Sequence, residues 1–253
     1  MGVPPKDFSK DVKDLEKRPT NGSNDPGVTW LENNVPMSPR FDDSYFSRQD
    51  GRDEVCHVFL QGNDLPMRWQ QQERFTIGEL GFGTGLSFLE TLRLWRTRDD
   101  PTSHLDFVSF EQYPVAVDEI RQTIRSWPDL LPLCDELRAT LRYDPGWNVF
   151  QLGTVRLVLG IGDANDLIDC WPDDLASADA WFLDGFSPNK NPELWNADLM
   201  AKVAARTREG GTFATFTAAG WVRRNLQSAG FLVRKTPGYG RKRDMACGMK
   251  TSP

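Results

Sequence analysis

Four carboxylates, Glu79, Glu111, Asp163 and Asp184, each end an apolar run of the sequence or directly follow one. Carboxylates at the ends of successive parallel strands share one edge of a sheet, where ligands bind in open α/β folds. Such a set suits a ligand with a positive charge, an amino group and ribose hydroxyls. The first of them opens the run Glu79-Leu80-Gly81-Phe82-Gly83-Thr84-Gly85-Leu86. Its glycines let the backbone turn sharply and approach a ligand closely, because no Cβ intervenes. A helix beginning there directs its free N–H groups at the same place. A dinucleotide fingerprint counted from Gly81 needs Gly or Ala where Leu86 stands, and a phosphate-binding loop needs a Lys that is absent. Two readings stay open at this point: a ligand held by an acidic-x-Gly-x-Gly-x-Gly turn, or a glycine turn that holds nothing.

The elements that must position these residues alternate along the chain. Phe75-Thr76-Ile77 reads as a strand before the glycine turn, and residues 87–96 as a helix after it. A second strand, 105–110, ends at Glu111. Residues 115–141 read as helical, broken by Pro128 and Pro132. Residues 147–152 and 155–159 flank Gly153-Thr154 as a hairpin, and the second arm leads to Asp163. A strand over 178–183 delivers Asp184. The spacing then predicts a helix over 197–208 stopped by Gly210-Gly211, a strand over 212–217 and a helix over 221–229. The last two strands, 231–235 and 245–250, are joined by the basic loop 238–244. Residues 57–63 read as either helix or strand. Alternation of this kind predicts an α/β fold with a doubly wound parallel sheet, and the closing strand pair predicts an antiparallel strand at its end. Residues 1–27, rich in Lys, Asp, Pro and Gly, read as a loose tail, and 28–253 as one domain.

Composition excludes several classes. The 253 residues carry a net charge of −6, which argues against broad nucleic-acid binding. Residues 221–243 nevertheless hold Arg223, Arg224, Arg234, Lys235, Arg241, Lys242 and Arg243 with no acidic residue. A local basic surface on an acidic body suits a specific polyanion, or else is a solvated face. No apolar run is long enough to span a membrane, and the first residues lack the apolar core of a signal peptide. The scattered cysteines, Cys56, Cys134, Cys170 and Cys247, read as reduced structural thiols, and His57 and His104 are too few for a zinc site, so no metal is expected. Together these features predict a cytoplasmic protein.

The glycine turn with its leading Glu79 resembles the first motif of class I S-adenosylmethionine methyltransferases, whose cationic cofactor suits the carboxylates. A narrower resemblance lies in Phe182-Leu183-Asp184-Gly185-Phe186-Ser187-Pro188-Asn189-Lys190-Asn191-Pro192-Glu193-Leu194-Trp195. It extends to Phe41–Ser47, Val58–Asn63 and Gly238–Met245, in one order over about 28–250. These segments resemble the bacterial tRNA wobble-uridine methyltransferases that make 5-methylaminomethyl-2-thiouridine. That resemblance implies a Rossmann-like fold, a mainly parallel seven-stranded sheet with an antiparallel terminal strand, and an N-terminal extension whose residues 28–70 are particular to the family. It implies S-adenosylmethionine as cofactor, with Phe46, Glu79, Gly81, Phe82, Gly83, Thr84, Gly85, Glu111, Gln112, Asp163, Ala164 and Asp184 as its contacts. It implies a tRNA anticodon as partner and, in many members, a flavin-dependent oxidase, here to be supplied by a separate domain or protein. On this reading Asp184 orients the substrate amine and takes its proton. Phe186 stacks on the base, Tyr45 walls the pocket, and Lys190, Arg241, Lys242 and Arg243 meet phosphates. A methyltransferase for a small amine would need the carboxylates without the basic surface. A non-catalytic binding module on the same fold is the third alternative.

Overall fold

In the computed structural model, which describes residues 27–31, 34–98 and 100–251, the apolar runs become one large sheet flanked by helices. A small antiparallel sheet comes first: β1 (Thr29–Trp30), β2 (Pro36–Ser38) and β3 (Asp43–Ser44). Then α1 (Gly51–Val55), N-capped by the Asp50 side chain, runs on through a π turn at Cys56–Leu60 and a 3-10 turn at Gln61–Asn63. The main body alternates as β4 (Arg74–Leu80), α2 (Leu86–Trp95), β5 (His104–Glu111), α3 (Val117–Ile124), α4 (Leu131–Arg138), β6 (Gly146–Leu152), β7 (Val155–Ile161) and α5 (Ala164–Leu167). It continues with β8 (Ala178–Leu183), α6 (Ala197–Ala205), β9 (Thr207–Thr215), α7 (Gly220–Ser228), β10 (Phe231–Pro237) and β11 (Asp244–Lys250).

The main sheet has the order β10-β11-β9-β8-β4-β5-β7-β6. Strands β7, β5, β4, β8 and β9 are parallel, β6 lies antiparallel to β7, and β11 antiparallel to both β9 and β10. This is the Rossmann-like arrangement of class I methyltransferases with β6 added, so the sheet has eight strands and not seven. The extra strand is the first arm of the hairpin, which pairs from Gly146↔Ile161 to Leu152↔Val155.

Successive side chains of a strand face opposite sides, and the central strands divide their apolar residues accordingly. Ile77, Phe107, Leu157 and Phe182 pack with α1 through α4 on one face, whereas Val108, Val158, Trp181 and Leu183 pack with α5, α6 and α7 on the other. Both faces are covered, which is why β4 is buried from Phe75 to Leu80.

Two local expectations differ from the structure. Helix α6 ends at Ala205, and the strand begins at Thr207 and passes through Gly210-Gly211. The pairing with β8 slips between Ala178↔Thr207 and Ala180↔Thr212. A Cβ on Gly211 would lie 2.6 Å from the Thr207 methyl and 3.0 Å from the Ala178 carbonyl oxygen, and Gly210 has φ +69°. These glycines therefore mark a β-bulge rather than a helix stop. Residues 57–63 are helical, with Val58, Phe59 and Leu60 buried and the Asn63 amide donating to the Phe59 and Trp181 carbonyls. The tail expected over 1–27 lies outside the described residues, Gly27 excepted.

Gly78 in β4 sits directly opposite the fully buried Trp181 of β8, and a Cβ there would stand 2.5 Å from the indole ring. Gly78→Ala overpacks the sheet centre, so denaturant unfolding should show a loss of about 1–3 kcal/mol.

Candidate active site

The carboxyl ends of the five parallel strands open into a crevice lined by Gly81, Glu111, Asp163, Asp184 and Phe216. Strand β4 ends in the glycine turn. Its Gly81 and Phe82 N–H groups both donate to the Phe110 carbonyl at 3.0 Å, which ties the turn to the end of β5. Gly81, Gly83 and Gly85 all have positive φ, a conformation in which a Cβ is strained. The Glu111 carboxylate at the end of β5 accepts the Gly83 N–H and the Tyr113 N–H, each at 2.7 Å. After β7, Asp163 caps α5 by accepting the Asn165 N–H at 2.9 Å. After β8 comes Asp184. A Cβ on Gly81 would lie 3.1 Å from the Gly185 Cα, so the two turns touch.

The walls are aromatic. Phe41 stacks on Phe186 with centroids 4.5 Å apart, and Tyr45 meets the same ring edge-on at 5.2 Å. The loop after Asp184 is held from below by the fully buried Trp195, whose indole N–H donates to the Phe186 carbonyl at 3.0 Å. It is held from the side by Asp43, which accepts the Ser187 N–H at 2.9 Å.

Most residues singled out in the sequence line this crevice: Tyr45, Phe46, Gly81, Phe82, Gly83, Thr84, Glu111, Gln112, Asp163, Ala164, Asp184 and Phe186. Gly85 instead starts α2, with φ +73°. Glu79 does not reach the crevice wall. Two residues after Ile77, it stands buried on the face of β4 turned toward α1–α4 and accepts the Ser109 hydroxyl at 2.6 Å. Burial pushes its carboxyl well above the usual range, and the nearby Asp184 and Glu111 charges add to that. Of the four carboxylates singled out in the sequence, three thus line the crevice and Glu79 stands behind them. Lys190 pairs with Asp42 at 3.0 Å and also donates to the Asp42 carbonyl, so its ammonium fastens the loop to the N-terminal segment. Lys242 pairs with Glu54 at 2.9 Å and lies 4.1 Å over the Phe216 ring. Arg241 and Arg243 are exposed beside it.

Sequence reasoning did not single out Glu54, Phe216, Tyr113 or Asn165, which also line the crevice. Arg40, whose guanidinium lies 4.2 Å over the Tyr113 ring, adds a cation near the aromatic wall. Only Glu54 had a usable signal. It stands four residues before the buried Val58, on the inward face of one helical turn.

A family model described as S-adenosyl-L-methionine-dependent methyltransferase matches residues 137–251. The match runs from the end of α4 through β11. Among curated proteins it is similar to the tRNA 5-methylaminomethyl-2-thiouridine biosynthesis bifunctional protein MnmC of Aliivibrio fischeri, 43% identical over 244 residues, which cover 92% of this chain and 36% of that protein. The protein of the same name from Methylobacillus flagellatus is 46% identical over 229 residues, covering 88% of this chain and 35% of that one. The chain thus spans about a third of the length of these relatives. The crystal structure of MnmC2 from Aquifex aeolicus superposes with a TM-score of 0.70 at 22% identity, covering 90% of this chain and 71% of that one, and so shares the fold.

The crevice fits the cofactor of such an enzyme. The glycine turn leaves room that any Cβ would take, Glu111 offers acceptors for ribose hydroxyls, and the carboxylates complement a sulfonium and an amino group. Asp184 is the carboxylate whose ionisation this site tunes. Burial raises its carboxyl to about 7; Glu54 and Glu111 push in the same direction, whereas the Gly185 N–H and the Lys242 ammonium oppose it. Between pH 3.8 and about 7 the native state therefore retains a proton that the unfolded chain has released, and stability falls as pH rises through that window. Asp184→Asn removes this penalty. Without cofactor it should melt above the wild-type chain at pH 8, and the gap should close toward pH 4. A gap that does not vary with pH would contradict the assigned environment.

Proposed function

We propose that this enzyme transfers a methyl group from S-adenosylmethionine to the 5-aminomethyl group of the wobble 2-thiouridine of tRNA, giving 5-methylaminomethyl-2-thiouridine. The observation that carries the reading is the Asp184 loop. It sets a carboxylate that titrates near neutrality between the glycine turn and the stacked Phe41–Phe186 pair. The names of the relatives add the substrate, since their product carries a methylamino group on a tRNA base.

The sulfonium of the bound cofactor supplies an electrophilic methyl group. The chain's own residues do the rest. The glycine turn, Glu111, Gln112, Asp163 and Ala164 hold the cofactor, and Glu79 supports the turn from behind. Phe186 and Tyr45 hold the flat base, as aromatic faces do for extruded bases. Asp184 accepts a hydrogen bond from the amine, takes its proton and leaves the nitrogen lone pair free to attack. Arg241 and Arg243 contact backbone phosphates and position the anticodon without reading its sequence, with Lys242 behind them bound to Glu54. The amine arises by an earlier removal of a carboxymethyl group, which we assign to a flavin-dependent oxidase partner. A tRNA substrate puts the enzyme in the cytoplasm, in keeping with the described residues, where no helix is long and apolar enough to cross a membrane.

Incubating the enzyme with labelled S-adenosylmethionine and tRNA carrying 5-aminomethyl-2-thiouridine, followed by nucleoside mass spectrometry, should show one methyl added to that nucleoside. The double variant Arg241→Glu with Arg243→Glu should raise KM for tRNA by roughly tenfold or more and leave cofactor affinity unchanged. Equal KM in the variant would favour a small amine as substrate.

A further inference from the structure

The carboxylate of Glu54 makes no contact with substrate or cofactor in the scheme above. Glu54 lines the crevice, is only 7% exposed, and opposes ionisation of Asp184 more strongly than Glu111 does. Its oxygens are clamped: Oε2 accepts the Ser47 N–H at 2.8 Å, and Oε1 accepts the Lys242 ammonium at 2.9 Å. Each oxygen takes one donor, and a carboxylate offers about four acceptor sites, so capacity remains on the crevice side. Burying a second carboxylate beside Asp184 is costly unless a cation compensates for it. Lys242 supplies one positive charge, so Asp184, Glu54 and Lys242 together carry a single negative charge when ionised. One ammonium neutralises it.

We infer that Glu54 is the second carboxylate that grips the substrate amine, accepting one of its N–H groups while Asp184 accepts the other. The inference rests on the amine reading of the previous section. The ammonium enters with three N–H bonds. One proton passes to an oxygen of Asp184, whose other oxygen accepts a second N–H, and Glu54 accepts the third. The amine then turns so that the lone pair left on nitrogen swings from the protonated Asp184 oxygen toward the methyl carbon while its two N–H groups settle on their acceptors. The new N–C bond forms from that pair, the C–S bond breaks with its electrons going to sulfur, and the positive charge moves to the secondary ammonium. Once neutral, this product has a single N–H. It leaves one of the two carboxylates without a donor, an arrangement that disfavours a second methylation.

The test uses Glu54→Ala and Glu54→Gln, the latter keeping an acceptor for Ser47 and Lys242 should the former fail to fold. With tRNA carrying 5-aminomethyl-2-thiouridine, both variants should lose about 10²-fold in kcat, the scale of misplacing a reacting group by about 1 Å. KM for tRNA and the Kd of S-adenosylmethionine should stay within about twofold. On prolonged incubation Glu54→Ala, and not the wild-type enzyme, should yield dimethylated nucleoside, which a merely structural role would not produce. Wild-type transfer with unchanged kcat and only monomethyl product in both variants overturns the assignment of Glu54 alone. No transfer by the wild-type enzyme overturns the amine reading, and this assignment with it.

Discussion

The site depends on one close approach, that of the glycine turn after β4 to the Asp184-Gly185 turn after β8. The two strands are neighbours in the sheet, from Ile77↔Ala180 to Leu80↔Leu183, so their ends leave side by side. Gly81 and Gly185 both have positive φ, and a Cβ on either would meet the opposite turn or Leu194 at 2.4–3.1 Å. Their lack of side chains brings the cofactor wall and the reacting carboxylate to a common edge.

That closeness has an electrostatic cost. Asp184 and Glu111 lie near enough to Glu79 to oppose its ionisation, and Glu54 and Glu111 do the same to Asp184. Part of the cost is offset locally: Ser109 donates to Glu79, two backbone N–H groups to Glu111, and Ser47 and Lys242 to Glu54. At Asp184 the Gly185 N–H and the Lys242 ammonium oppose the effect of burial, and its carboxyl is still raised to about 7. A cationic cofactor and an amine substrate supply the missing positive charge. Strain of this kind at a site is the usual exchange of stability for function.

How much of this was legible in the sequence follows from which interactions are local. The strand ends carrying Glu111, Asp163 and Asp184 were readable because continuous apolar runs and the glycine turn define them within a few residues. The bulge at Gly210-Gly211 was not, since a glycine pair after a helical pattern reads as a stop, and only the approach of Ala178 and Thr207 makes it a bulge. The hydrogen bond that Glu79 accepts comes from Ser109, thirty residues away, and holds its carboxylate against the neighbouring strand behind the crevice. Lys190 and Lys242 looked free because their partners, Asp42 and Glu54, lie 148 and 188 residues distant in the chain. Ion pairs at such separations leave no periodic trace. The narrower resemblance of the Asp184 loop supplied the tRNA reading, which neither composition nor spacing contains.

The central claim is that one ligand bridges the two turns. Amide hydrogen exchange with and without S-adenosylmethionine measures this directly. Protection on adding the cofactor should appear together in residues 81–86, 111–113, 163–165 and 184–187. Protection confined to the glycine turn, with exchange at 184–187 unchanged, would contradict the account.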